Sequence, residues 1–239
     1  MLGIPAPTQL DLNFRLFGIP IRISPFFWLL AAIIGLRYGS GLDRPEDSAV
    51  VASCVLVSVL VHELGHGLTA RCCGDRPWIV LHGFGGACVS NREAQPFGRR
   101  LMIILMGPVA GLLLAIATVS TWAALVAYEI RLPPQAELAM NALLVLNLIY
   151  SAFNLIPVWP LDGGQLLLTM LDRLSPRHGA RRAHILSFLA SGSAAALALA
   201  WGGAGNWLLV SLWLGYFAFI NFVLLSHYHR IAMAEREGW

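Results

Sequence analysis

Lysine is absent from the chain: all sixteen basic residues are arginine. Charge of either sign is scarce. Only 12% of the 239 residues are charged, where a typical soluble domain has about a quarter. Sixteen arginines and thirteen acids cannot coat the surface of a water-soluble globule of this size, which argues against a cytosolic fold. The low charge and high apolar content exclude a disordered chain, and glycine and proline show no collagen period. A formal net charge of +3 is too small to indicate a nucleic-acid binder, and none is expected as a partner. Cysteine is sparse as well. Cys54, Cys72, Cys73 and Cys88 form no C-x-x-C, and the adjacent Cys72-Cys73 pair is no disulfide framework, so small buried or interfacial thiols are expected. No C-x-x-C-H or dinucleotide fingerprint occurs. Pro5, Pro7, Asp11, Arg15 and Arg22 interrupt the first 25 residues, which fits poorly with a cleavable leader.

What is present is apolar residue, 57% of the chain, with a mean hydropathy of +0.69. Six stretches are candidates to cross a hydrocarbon core of about 30 Å: approximately 24–38, 48–70, 101–128, 138–159, 183–201 and 207–226. Helices are the economical way to satisfy the backbone of such runs in lipid. The first stretch is short and would have to borrow flanking residues. Alternate connections then receive thirteen arginines against three, which predicts both termini and the two long loops, 71–100 and 162–182, in the cytoplasm. The predicted fold is therefore an all-α polytopic membrane protein of about six transmembrane helices. It forms one membrane-embedded domain over residues 1–239, with a core at about 48–175 and extra spans at about 24–38, 183–201 and 207–226.

Between the second and third stretches, the segment from Trp78 to Val89 is apolar, β-branched and broken by Gly83, Gly85 and Gly86. It reads as two short strands around a glycine-rich turn, with a plain interfacial loop as the alternative. His82 within it reads as a loop histidine more readily than a ligand.

The chemistry concentrates in His62-Glu63-Leu64-Gly65-His66, inside the second stretch. Histidines at i and i+4 share one helical face and can give two imidazoles to one metal ion, while Glu63 stands where it can take a proton from a water at that ion. A glutamate at mid-membrane is costly without such a role, since a charged residue at a helix centre costs about 2.5–3.5 kcal/mol. A catalytic zinc wants three protein ligands and an open position. Asp162 is the candidate third ligand. It follows the fourth stretch in Asn154-Leu155-Ile156-Pro157-Val158-Trp159-Pro160-Leu161-Asp162-Gly163-Gly164, on the side of the membrane where the second helix ends. His62 and His66 precede that end, near Ala70, by about 12 and 6 Å of helix. A helix N-cap for residues 163–174 is the other reading of Asp162.

These two motifs resemble the site-2-protease-type intramembrane zinc metallopeptidases, peptidase family M50, as does Met106-Gly107-Pro108-Val109-Ala110-Gly111 at the opening of the third stretch. The resemblance runs from about Arg15 to Asn221. It implies that His62, His66 and Asp162 bind one Zn²⁺, that Glu63 is the general base, and that Asn154 helps hold substrate or a developing oxyanion. It implies hydrolysis of peptide bonds in or near transmembrane segments of membrane-protein substrates in a bacterial inner membrane. The family's membrane-associated hairpin, thought to pair with an extended substrate, would fall at Gly83–Gly86. Trp159 stands where many members have another proline. No appended PDZ or CBS domain is expected, and a homo-oligomer or a regulatory membrane partner stays open.

Competing readings are weaker. A membrane diiron oxidase needs more intramembrane histidines than His62 and His66, since His178, His184, His227 and His229 scatter elsewhere. A catalytically silent scaffold or transporter that keeps the fold is the alternative in a different class. Gly107 and Gly111 form a G-x-x-x-G expected to pack helices within the chain. Asn147 is expected to form an interhelical hydrogen bond, with lining of the site as the alternative. Arg173, Arg177, Arg181 and Arg182 read as interfacial anchors.

Overall fold

The computed structural model describes residues 5–202 and 207–236. The connection between the last two predicted spans lies outside the described residues. The chain divides into two compact units, Met1–Phe153 and Asn154–Trp239.

The first unit opens with strands β1 (Leu12–Leu16) and β2 (Ile19–Ile23), followed by helices α1 (Pro25–Tyr38) and α2 (Pro45–Cys72). Strands β3 (Trp78–His82) and β4 (Gly85–Val89), a short 3₁₀ turn, and helices α3 (Phe97–Ala127) and α4 (Pro134–Asn154) complete it. The predicted hairpin is β3–β4, antiparallel, with His82 opposite Gly85. It is half of a larger sheet. The order is β1-β2-β3-β4, with β2 parallel to β3 and Ile21 opposite Ile79. Period-2 burial drives this arrangement: Ile19, Ile21 and Ile23 point inward and join Ile79, Leu81, Phe27, Val55 and Val59 in one core. The sheet therefore sits on α1 and α2 and presents β1 and β4 as its edges.

Among the described residues, five helices are long and apolar enough to cross a membrane: α2, α3, α4, α6 (Gly179–Gly202) and α7 (Trp207–Arg236). Helix α1, the first predicted span, has 14 residues and reaches only about 21 Å. It borrows nothing, because β2 ends at Ile23 and the chain leaves the helix at Gly39. Helix α4 ends at Asn154, five residues before the predicted boundary at Trp159. Pro157 disfavours helical backbone at the residue before it and, like Pro160, has no N–H to give. Apolar residues continue past the helix, so hydropathy alone overshoots.

Within the first unit, the G-x-x-x-G of α3 packs inside the chain. A Cβ on Gly107 would meet the His66 ring of α2, and one on Gly111 would meet Ser151 Oγ of α4. Ser151 donates to the Pro108 carbonyl at 3.2 Å, and Asn147 Nδ2 donates to Ser58 Oγ of α2 at 2.9 Å. Asn147 is thus the interhelical hydrogen-bond residue. The second unit holds a non-helical segment, then α5 (Asp162–Leu174), α6 and α7. Helix α5 has 13 residues, about 20 Å, and is too short to span.

Candidate metal centre

Helix α2 buries His62, Glu63 and His66, at 1%, 4% and 2% exposure. The i, i+4 spacing puts both imidazoles on one face, and their Nε2 atoms lie 3.2 Å apart. Two nitrogens held at about 2.05 Å by one tetrahedral ion would be about 3.3 Å apart. The tautomer of His66 is set by the neighbouring helix. Its Nδ1 is 2.7 Å from the carbonyl oxygen of Ile103 in α3. A carbonyl only accepts, so Nδ1 carries the proton and Nε2 keeps its lone pair for a metal. His62 is fixed by a ring contact instead, edge-on to Tyr150 of α4 with centroids 4.8 Å apart. Tyr150 and the Ile103 carbonyl had no signal in the motif, because they reach the histidines from helices far away in sequence.

Two glycines make room for the site. Helix α3 passes His66 so closely that a Cβ on Gly107 would stand 2.1 Å from His66 Nε2. Strand β4 passes over Glu63, and a Cβ on Gly86 would stand 2.4 Å from Glu63 Cγ. Gly107→Ala is therefore expected to push the His66 ring out of place and reduce bound zinc to a small fraction of wild type. Elemental analysis of the purified variant checks this, with helicity by circular dichroism as the control for folding. Wild-type zinc content in Gly107→Ala would contradict the close approach.

In the second unit, Asp162 is the first residue of α5 and is 5% exposed. The N-cap position belongs to Leu161 and makes no side-chain cap, so the alternative of Asp162 as an N-cap is not what forms. A carboxylate at a helix start is favoured by the helix dipole. The segment before it folds back on α5. Cβ atoms on Gly163 and Gly164 would meet the Leu155 carbonyl oxygen at 2.2 Å and the Trp159 nitrogen at 2.1 Å. A buried polar network holds this segment. Trp159 N–H donates to Ser187 Oγ at 3.0 Å, and Asn221 Nδ2 donates to the Trp159 carbonyl at 2.7 Å. His184 Nδ1 pairs with Asn221 Oδ1 at 2.8 Å. Asn221 and His184 were not singled out in the sequence as parts of this anchor. Buried polar residues inside α6 and α7 are themselves the signal, since lipid penalises them unless they are partnered. Asn154 closes α4 and is 8% exposed.

His62, His66 and Asp162 are all buried, and two imidazoles with one carboxylate are the donor types of one zinc ion. His82 is β3's last residue, opposite Gly85, and is not one of the clustered metal-type donors among the described residues. Its Nδ1 accepts from the Phe84 N–H at 3.2 Å, and burial, helped by Arg22, holds its pKa below the usual imidazole value. The four cysteines are free thiols.

The model of the family described as "Peptidase family M50" matches residues 50–137 and 131–199. The chain is 29% identical over 173 residues to stage IV sporulation protein FB of Bacillus subtilis, covering 72% of this chain and 54% of that protein. It is 32% identical over 162 residues to a zinc metalloprotease of Methanocaldococcus jannaschii, covering 67% and 45% respectively. The chain thus spans about half the length of these curated relatives. Among solved structures, the site-2 protease of Methanocaldococcus jannaschii matches with a TM-score of 0.62 and 26% identity, covering 88% of this chain and 94% of that one. Helices of membrane-spanning length and a zinc-type donor set, together with these matches, describe an integral membrane protein that holds one zinc ion. The chain belongs to peptidase family M50.

Proposed function

We propose that this chain is a zinc-dependent endopeptidase that hydrolyses peptide bonds in or near transmembrane segments of membrane-protein substrates. The observation that carries the reading is the buried His62 and His66 pair, Nε2 atoms 3.2 Å apart, with Glu63 between them in sequence and buried under β4. His62, His66 and Asp162 would hold the ion. Bound zinc supplies a Lewis acid that makes water a nucleophile at neutral pH and polarises a carbonyl. Glu63 accepts the proton of the attacking water on its carboxylate and hands it to the departing amine. The Asn154 side-chain amide donates a hydrogen bond to the oxyanion that forms from the scissile carbonyl.

A helical substrate has its carbonyls already bonded and must unwind before attack. Strand β4 is a sheet edge and could take the opened stretch as an added strand beside Glu63. The chain's residues 1–239 act as one metallopeptidase domain in this reading, in a bacterial inner membrane with both ends cytoplasmic. Cysteines introduced at residue 131 and at the C-terminus should label from opposite sides of the membrane; labelling of both from the same side refutes that orientation.

The deciding experiment incubates purified protein in detergent with membrane-segment peptides from the same organism and identifies products by mass spectrometry. Zinc-chelated protein should produce no fragments, and restoring zinc should return them. A protein that binds zinc and never cleaves would favour the silent scaffold or transporter.

A further inference from the structure

A pocket of about 820 Å³ opens in the first unit, where the β1–β2 hairpin and the start of β3 meet the C-terminal end of α2. Its lining is strongly one-signed. Arg15, Arg22, Arg71 and Arg76 face a single acid, Asp75. That acid is already engaged by backbone: Oδ1 accepts the Arg76 N–H at 2.7 Å and Oδ2 the Asn91 N–H at 2.5 Å. Arg22 pairs with Asp11 at 3.3 Å and lies 6.0 Å from the Trp78 ring centroid. Thr8 and Arg22 together hold the Asp11 carboxyl below its ordinary range, Thr8 contributing more. Arg22 is 9% exposed, and its buried Nε has no hydrogen-bond partner among the described residues. Arg71 Nη1 donates to the Phe17 carbonyl, which pins the hairpin turn to the helix end. Arg15 and Arg76 are exposed and form no ion pair among the described residues.

Among the described residues, three of these arginines pair with no carboxylate and one buried guanidinium nitrogen is left over, which makes a site short of negative charge. Guanidinium forks match phosphate oxygens in pairs, and a pocket of this size takes a small ligand. Depth in the membrane agrees. Arg71 lies in the last turn of α2, a 28-residue helix of spanning length, so the pocket opens where that helix leaves the hydrocarbon. Headgroup phosphates lie at that level, and Trp78 is the kind of side chain that sits there.

We infer that this pocket binds a phosphate oxyanion, either in the headgroup of an anionic phospholipid or as free phosphate. The inference is independent of proteolysis and needs no metal. Native mass spectrometry of the detergent-purified chain, with added phosphatidylglycerol, phosphatidylcholine or inorganic phosphate, tests it. Wild type should retain one phosphatidylglycerol per chain about tenfold more tightly than phosphatidylcholine, whose choline the arginines repel. Arg15→Gln/Arg76→Gln should bind it about tenfold more weakly, the loss of about one charge-assisted hydrogen bond. Both substituted residues are exposed, so folding should survive, and zinc content reports it. A charge-matched Arg99→Gln/Arg131→Gln variant, at two exposed arginines outside the pocket, should bind as wild type. Displacement of the lipid by millimolar inorganic phosphate identifies free phosphate as a source; persistence identifies the headgroup. Equal retention of both lipids, equal loss in both double variants, or no binding of lipid or phosphate would overturn the inference.

Discussion

Glu63→Gln should keep zinc at the wild-type ratio and slow peptide hydrolysis by about 10²–10⁴-fold, the usual contribution of a positioned general base. Glutamine has the same size and keeps a side-chain oxygen, so little should move. That matters here because Glu63 is buried and β4 leaves no slack above it: a Cβ at Gly86 would already sit 2.4 Å from Glu63 Cγ. What glutamine cannot do is take a proton. His62→Ala removes an imidazole instead, so zinc itself should go. The contrast between the two variants separates a base from a ligand. Zinc lost from Glu63→Gln as completely as from His62→Ala would show that Glu63 holds the ion, and near-normal turnover would move the base elsewhere. Elemental analysis beside a peptide-cleavage assay reads both quantities on the same preparation.

How far the sequence spoke depended on distance along the chain. His62 and His66 are four residues apart, so helical geometry alone puts them on one face. The β3–β4 hairpin was legible for the same reason, with its two strands joined through Gly83 and Phe84. The other half of the sheet was not read. Its local signal existed, since Ile19, Ile21 and Ile23 alternate with Pro20 and Arg22 after the Phe17-Gly18 turn, where both residues have positive φ. The parallel pairing of Ile21 with Ile79 spans 58 residues and leaves no local trace. Gly107 shows the same limit more sharply. A G-x-x-x-G predicts close helix packing, and the packing was found, but only the fold reveals that the close neighbour is the His66 imidazole. The end of α4 failed for a different reason. Leu155, Ile156, Val158 and Trp159 are as apolar as the helix before them, and hydropathy does not register the donors that Pro157 and Pro160 lack.

Asp162→Asn should abolish both zinc binding and hydrolysis while leaving the protein inserted in the membrane. Two imidazoles leave a catalytic zinc one ligand short, and an anionic oxygen is the donor that completes many such sites. Losing a group that only supports a ligand typically costs 10–100-fold in metal affinity, so losing a ligand should cost more than about 100-fold. The competing role for Asp162 predicts something far smaller. As a charge in the first turn of α5 it would contribute about 0.3–1 kcal/mol to that helix, with no effect on metal content. The two roles therefore differ by orders of magnitude in one titration. Asparagine is nearly isosteric, which protects the tight backbone around Gly163 and Gly164, where Leu155 and Trp159 leave no room for adjustment. Asp172→Asn, ten residues further along the same helix, should change neither zinc nor turnover and controls for loss of charge. X-ray absorption of the zinc-loaded protein should find a carboxylate oxygen beside two imidazole nitrogens. Full zinc occupancy and normal cleavage in Asp162→Asn, or a shell of protein nitrogens alone, would remove Asp162 from the site and leave the third ligand to be found elsewhere.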